Sequence, residues 1–262
     1  MFAQIRRILR RDIPKPIRLR IASSRRYLAD RFSGQAPLMV GRTEIRRDLT
    51  GWVEVLSIAQ VIRQAELWEG KLHNLRLATG RLNGVVIDPG RIFSFWALAG
   101  LPDAINGYQA GRSIRDDVLG AEIGGGLCQL SGLAYELGLR AEMAVVERHP
   151  HSLDLYTEAT RFTPLGLDAT VVWGYKDLRL RNASARSVAF AFELRADQII
   201  GALLARHPFR PAQLEIARTD VQGGRFVQVT RSGSAGASEI VSSDMYRIPR
   251  PSREAGPSGR AT

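Results

Sequence analysis

The chain holds one cysteine, Cys128, in 262 residues. No internal disulfide can form, so oxidation staples nothing, and a lone thiol suits a reducing compartment. No window approaches the ~20 apolar residues needed to cross a bilayer as a helix. The start, Met1-Phe2-Ala3-Gln4-Ile5, turns basic without the apolar stretch of ~7–15 residues that follows the charges of a secretory signal. A cytoplasmic protein is the expectation. The GxxxxGK[ST] phosphate loop is missing, as are the CxxC and HExxH metal spacings and any internal repeat. These absences argue against a P-loop hydrolase, a zinc-finger module and a repeat array.

What is present suits one sizeable core, since 45% of the residues are hydrophobic. The net charge of +11 is uneven. Residues 1–47 carry twelve Arg and one Lys against Asp12, Asp30 and Glu44, so the remainder is close to neutral. In residues 1–33, Phe2, Ile5, Ile8 and Leu9 fall at helical spacing, Pro14 and Pro16 interrupt, and Ile17, Leu19, Ile21 and Leu28 follow among arginines. An amphipathic basic segment on an anionic membrane surface fits this pattern, at the inner face for a cytoplasmic protein. A solvated arm docked loosely on its own domain is the plainer reading. Nucleic acid is disfavoured, because stacking aromatics are few. The organisation expected is a basic arm over 1–50, an α+β domain over 51–245, and a disordered Pro/Gly/Ser/Arg tail over 246–262.

Along the chain, Val55, Ile58, Ala59 and Ile62, then Leu72, Leu75 and Leu77, predict helix over 55–77. Val85-Val86-Ile87 predicts a buried strand. Cys128 to Glu142 predicts the clearest core helix, with Leu130, Leu133, Ala134, Leu137 and Ala141 on one face. Strands are expected over 143–148, 169–173, 177–181 and 187–194, and around 213–217, 226–230 and 239–241. Helix followed by many strands argues for α+β.

The chemistry concentrates in Gly124-Gly125-Gly126-Leu127-Cys128-Gln129 and Glu147-Arg148-His149-Pro150-His151-Ser152. A thiol at a helix N-terminus lies beside unpaired N–H groups and the positive dipole end, which favour the nucleophilic thiolate. Gly124, Gly125 and Gly126 let the backbone approach a substrate and offer N–H donors to an oxyanion, with Gln129 as a further donor. In a strand, His149 and His151 share a face; either can serve as base, with His151 favoured. Asp168 is the first choice for orienting the imidazole, ahead of Asp154 and Asp177. The blander alternative makes Cys128 a small buried packing group in a non-catalytic module that binds a peptide or glycan. The same atoms allow a zinc site of Cys128, His149 and His151, with Asp168 or water as fourth ligand. The leading assignment needs no metal or cofactor.

Phe93-Ser94-Phe95-Trp96, Gly107-Tyr108, the run from Ile123 to Ser131, Val146 to Ser152, Ala169-Thr170-Val171, Asp177-Leu178 and Asn182 together resemble the VanW family, in order from about Leu72 to Asn182. That family takes its name from a protein of vancomycin B-type glycopeptide resistance clusters. The resemblance implies a link to antibiotic resistance and the cell wall, and a peptide or cell-wall precursor as substrate. The order Cys on a helix, His, then Asp is similar to transglutaminase-like and papain-like cores, with the Cys helix packed on an antiparallel sheet. It implies acyl transfer or amide hydrolysis.

Overall fold

A computed structural model describes residues 14–115, 118–154, 161–234 and 236–248. Four antiparallel strands form the central sheet: β1 (Val53–Val61), β9 (Gln198–Ala205), β8 (Val188–Arg195) and β2 (Val85–Ile87), in that order. Helix α2 (Trp68–Leu82) packs on β8, and α4 (Cys128–Arg140) packs on β9. A Cβ at Gly201 of β9 would come within 2.9 Å of Leu133 Cγ, so glycine there lets the helix sit down on the sheet. Every residue of α4 from Gln129 to Leu139 is buried, which makes it the central core helix.

Around this layer lie three smaller pieces. Strands β3 (Ile92–Ser94), β7 (Arg179–Arg181) and β6 (Ala144–Glu147) form one sheet, and the short helix α3 (Phe95–Ala99) follows β3 directly. β4 (Ala110–Arg115) and β5 (Val118–Ile123) form a ribbon that leads into the glycine triplet. β10 (Gln213–Val221), β11 (Gly224–Ser232) and β12 (Ser238–Arg247) form a C-terminal meander. The arrangement is α+β, as the element order predicts, with antiparallel pairing throughout the named strands.

The basic arm contributes α1 (Lys15–Phe32). Pro14 and Pro16 do not interrupt it. Pro14 is its N-cap and Pro16 falls in the first turn, where a missing N–H costs nothing. One face is docked: Asp30 takes both terminal nitrogens of Arg179 at 2.5 and 2.7 Å, and Arg26 pairs with Glu147. The opposite face leaves Ile17, Ile21, Leu28 and Phe32 exposed in one stripe. No helix among the described residues is long and apolar enough to cross a membrane. Phe2, Ile5, Ile8 and Leu9, and residues 249–262 of the expected tail, lie outside the described residues.

Several expectations are corrected. Residues 53–61 form β1, not the start of a helix, and the helix begins at Trp68. Residues 169–173 form no strand beyond a bridge from Val172 to Lys176. The structured domain continues past 245, because β12 runs to Arg247 and buries Tyr246 completely.

Candidate active site

The ribbon, the glycine triplet and α4 together place the sulfur. Gly124 and Gly126 have φ of +82° and +96°, a left-handed conformation that side chains resist. Gly125 passes back-to-back with Gly111 of β4: a Cβ at Gly111 would lie 2.6 Å from Gly125 O. Buried Asn74 of α2 fixes this crossing, donating to Gly125 O at 3.0 Å and Gln109 O at 2.9 Å while accepting from Gln109 N–H at 2.8 Å. Cys128 then opens α4, half-buried and facing a cleft of about 1000 Å³. That volume is at the upper end of small-molecule sites. Leu19 and Ser23 of α1 form part of one wall, and Trp96 and Trp173, in edge-on contact at 5.6 Å, part of another.

Beyond β6 the chain brings His151 to the same cleft. Its ring lies beside the Cys128 thiol, close enough for each to shift the titration of the other. On its other side His151 Nδ1 meets Asp168 Oδ2 at 2.7 Å, and the same oxygen accepts the His151 backbone N–H at 2.7 Å. An Nδ1–H donated to the carboxylate leaves Nε2 for the sulfur. Asp168 Oδ1 accepts from Tyr246 OH at 2.5 Å and from Arg148 Nη2 at 3.1 Å. Arg148 also donates to Asp168 O, Gly166 O and Asp244, and lies over the Tyr135 ring at 5.1 Å. The loop carrying Asp168 is pinned to α4, because Ser131 Oγ donates to Ala169 O and Gly132 lets the segment approach.

This arrangement sets the charges. Burial pushes the Cys128 thiol up, but the hydrogen bond and charge of His151 and a bond from the Val171 N–H outweigh it, so the thiol titrates below its ordinary value. Burial pulls His151 down, yet its bonds to Asp168 and Cys128 and their charges raise it to about 10. Burial opposes the ionised Asp168 too; the bond and charge of His151, then Arg148 and Tyr246, hold it well below the usual carboxylate range. The lowered thiol, the raised imidazole and the lowered carboxylate all favour a thiolate–imidazolium pair beside an ionised Asp168, the electronic state that a cysteine nucleophile needs.

The remaining candidates fall elsewhere. β6 ends at Glu147, so His149 and His151 do not share a strand face. His149 Nε2 meets Glu147 Oε1 at 3.0 Å, and only its carbonyl serves the site, accepting from Thr170 N–H at 2.7 Å. The zinc set of Cys128, His149 and His151 is thus not assembled, and no group of three or more metal-ligating side chains occurs among the described residues. The Gln129 side-chain amide donates to Val61 O at 3.0 Å, which commits one of its two N–H groups to β1. The backbone N–H of Cys128, first in its helix, has no backbone acceptor among the described residues and remains available. Asp154 pairs with Arg161, and Asp177 with Ser94 and Arg179. Arg148, Tyr246 and Asn74 were not among the sequence candidates. Only Arg148 carried a signal, lying inside the histidine block.

The VanW-like family pattern matches residues 70–204, just over half of the chain, and spans Asn74, the glycine triplet, Cys128, Arg148, His151 and Asp168. The chain belongs to the VanW-like family. Vancomycin B-type resistance protein VanW of Enterococcus faecalis is 34% identical over 137 residues, covering 52% of this chain and 50% of that protein. Uncharacterized protein YoaR of Bacillus subtilis is 26% identical over 155 residues, covering 56% and 50%. This VanW-like chain therefore spans about half the length of the curated relatives it matches. No solved structure matches it.

Proposed function

We propose that this VanW-like chain is a thiol enzyme that cleaves an amide or transfers its acyl group. The carrying observation is the unbroken contact from Cys128 through His151 to Asp168 at the wall of a large cleft. The Cys128 thiolate adds to the carbonyl carbon, forming the C–S bond as the π electrons move to oxygen. The N–H groups at the start of α4 receive that oxyanion. Collapse breaks the C–N bond while the His151 imidazolium gives its proton to the departing amine. Water or a second amine then attacks the thioester, His151 takes its proton, and the thiolate leaves. Asp168 orients the ring throughout. The order of these residues is that of transglutaminase-like and papain-like cores, although His151 and Asp168 here ride on irregular segments. The name of the Enterococcus relative points to glycopeptide resistance, so an amide-bearing cell-wall peptide is the substrate class proposed.

Iodoacetamide labelling of Cys128 across pH tests the reading. The midpoint falls below the ordinary ~8.5 and returns toward it in His151→Ala. An ordinary midpoint in the native protein favours a non-catalytic module that uses the aromatic cleft for binding alone.

We also propose that α1 seats the protein peripherally on an anionic membrane, at the cytoplasmic face. Its exposed Ile17, Ile21, Leu28 and Phe32 form an apolar stripe flanked by Arg18, Arg20, Arg25 and Arg31.

A further inference from the structure

The chain has only three lysines against thirty-four arginines, and one of the three, Lys71, lines the cleft. It stands on α2 one turn before Asn74, and its stem runs along the glycine triplet: a Cβ at Gly126 would come within 2.5 Å of Lys71 Cγ. Arg112 of β4 lines the cleft beside it, next to Gly111, the residue that crosses Gly125. Neither cation has a carboxylate partner among the described residues, whereas Arg148 and Arg179 of the same molecule are each paired with two or more carboxylates. Burial pulls Lys71 down and the charge of Arg112 adds to it, bringing the amine to about 8. No carboxylate among the described residues offsets that repulsion.

The acidic residues of the cleft do not neutralise the pair. Asp103 accepts from the backbone and side chain of Asn106 at 2.8 and 2.7 Å, and Glu66 lies exposed at the rim. Glu122 has an interaction of its own, and the charge acting on Lys71 is that of Arg112. Two like charges held together, half-buried and unpaired, are destabilising unless an anion visits them.

We propose that Lys71 and Arg112 form an anion subsite on the glycine-triplet side of Cys128, and that it binds a carboxylate of the peptide whose amide is cleaved. The proposal rests on the thiol-enzyme reading and deepens it by assigning the substrate a negative charge near the scissile bond. A carboxylate there is held by two charge-assisted contacts. It also restores Lys71 to its protonated form, so binding of acidic substrates weakens as pH rises through about 8 in the free enzyme.

Matched thiol reagents test this without a known substrate. 3-Maleimidopropionate and N-ethylmaleimide differ in a carboxylate tethered to the same ring. Labelling rates of Cys128 are taken as the acid-to-neutral ratio, divided by the same ratio for glutathione. The full chain is expected to favour the acid by about tenfold. That preference falls at least about fivefold in Lys71→Met and in Arg112→Gln, and Lys71→Arg restores it. His151 is intact in all three, so its own positive charge cancels from the comparison. A ratio identical in native protein and both variants overturns the subsite. The thiol midpoint with iodoacetamide reports on the enzyme reading separately, so each can fail alone. Two protectors identify the source of the carboxylate. N-Acetyl-alanyl-alanine carries only a terminal one, and N-acetyl-glutamyl-alanine amide only a side-chain one. Whichever slows labelling of the native chain, and not of Lys71→Met, names it; protection by neither overturns the assignment.

Discussion

At the scale of single residues, the thiol and imidazole behave as one proton-holding unit, and this has a consequence for stability. Unfolded, His151 titrates near 6.5 and Cys128 near 9.0. Folded, the imidazole is raised and the thiol lowered. The lowered thiol contributes stability that is present above 9.0 and lost as pH falls through its folded value, while the raised imidazole contributes stability that is complete below 6.5 and lost as pH rises to about 10. The two slopes oppose each other, so the pair gives a shallower profile than the imidazole alone. In Cys128→Ser only the raised imidazole remains. Its contribution is complete below 6.5 and drains away as pH rises through the folded value. Urea unfolding from pH 5.5 to 9.5 should thus give a native profile shallower than that of the variant, which declines from 6.5 upward. Parallel profiles would mean that no ion pair exists. Asp168 adds the same term to both proteins, present above 3.8 and lost as pH falls below it.

At the scale of elements, α4 and the glycine triplet were legible because their signals are local: a helical apolar face, and glycines where φ is positive. β1 was misread because Val55, Ile58, Ala59 and Ile62 fit the helical period, whereas the strand turns Val55, Leu56, Ile58 and Gln60 inward around a bulge; its β-branched content and its pairing with β9 decide the matter. β9 itself went unseen, since Ile199-Ile200-Gly201-Ala202-Leu203-Leu204 is apolar on both faces and shows no alternation. In α1 the prolines misled, while the apolar positions were read correctly and turn out to be split between cleft and solvent. Leu19 lines the cleft, whereas Ile17, Ile21, Leu28 and Phe32 face outward. This division yields a membrane prediction. Fully burying one such side chain contributes about 1.5–3 kcal/mol. Replacing Ile21, Leu28 and Phe32 by Ser should lower binding to phosphatidylglycerol vesicles at least about tenfold in sedimentation. Thiol labelling should be unchanged, because Arg26 and Asp30 still dock the helix. Undiminished sedimentation would place the contact on another surface.

At the scale of the whole molecule, the site is finished by a part of the chain that carries none of its motifs. The family match ends at residue 204, yet Tyr246 and Asp244 of β12 reach back to Asp168 and Arg148. Tyr246 lies 78 positions from Asp168, beside a composition shift that looked like the start of a tail. No local pattern announces such a contact; only the pairing of β12 with β11, and the bridge from Leu153 to Arg247, bring it home. The meander therefore buttresses the carboxylate that orients His151. Tyr246→Phe removes a donor from Asp168 and from the Gly166 N–H its acceptor, and should cost about 1–3 kcal/mol in urea unfolding. The Asp168 charge is then less shared, so it holds the imidazolium at least as firmly, and the iodoacetamide midpoint of Cys128 should not rise. Asp244→Asn acts oppositely on the thiol. Arg148, deprived of one carboxylate, leans more on Asp168, competes with His151, and labelling slows at neutral pH. Because both changes act through Asp168 and Arg148, the double variant should depart from additivity by about 0.5–3 kcal/mol. Additive costs, with a labelling midpoint indifferent to either change, would detach the meander from the site and reduce it to a separate structural appendage.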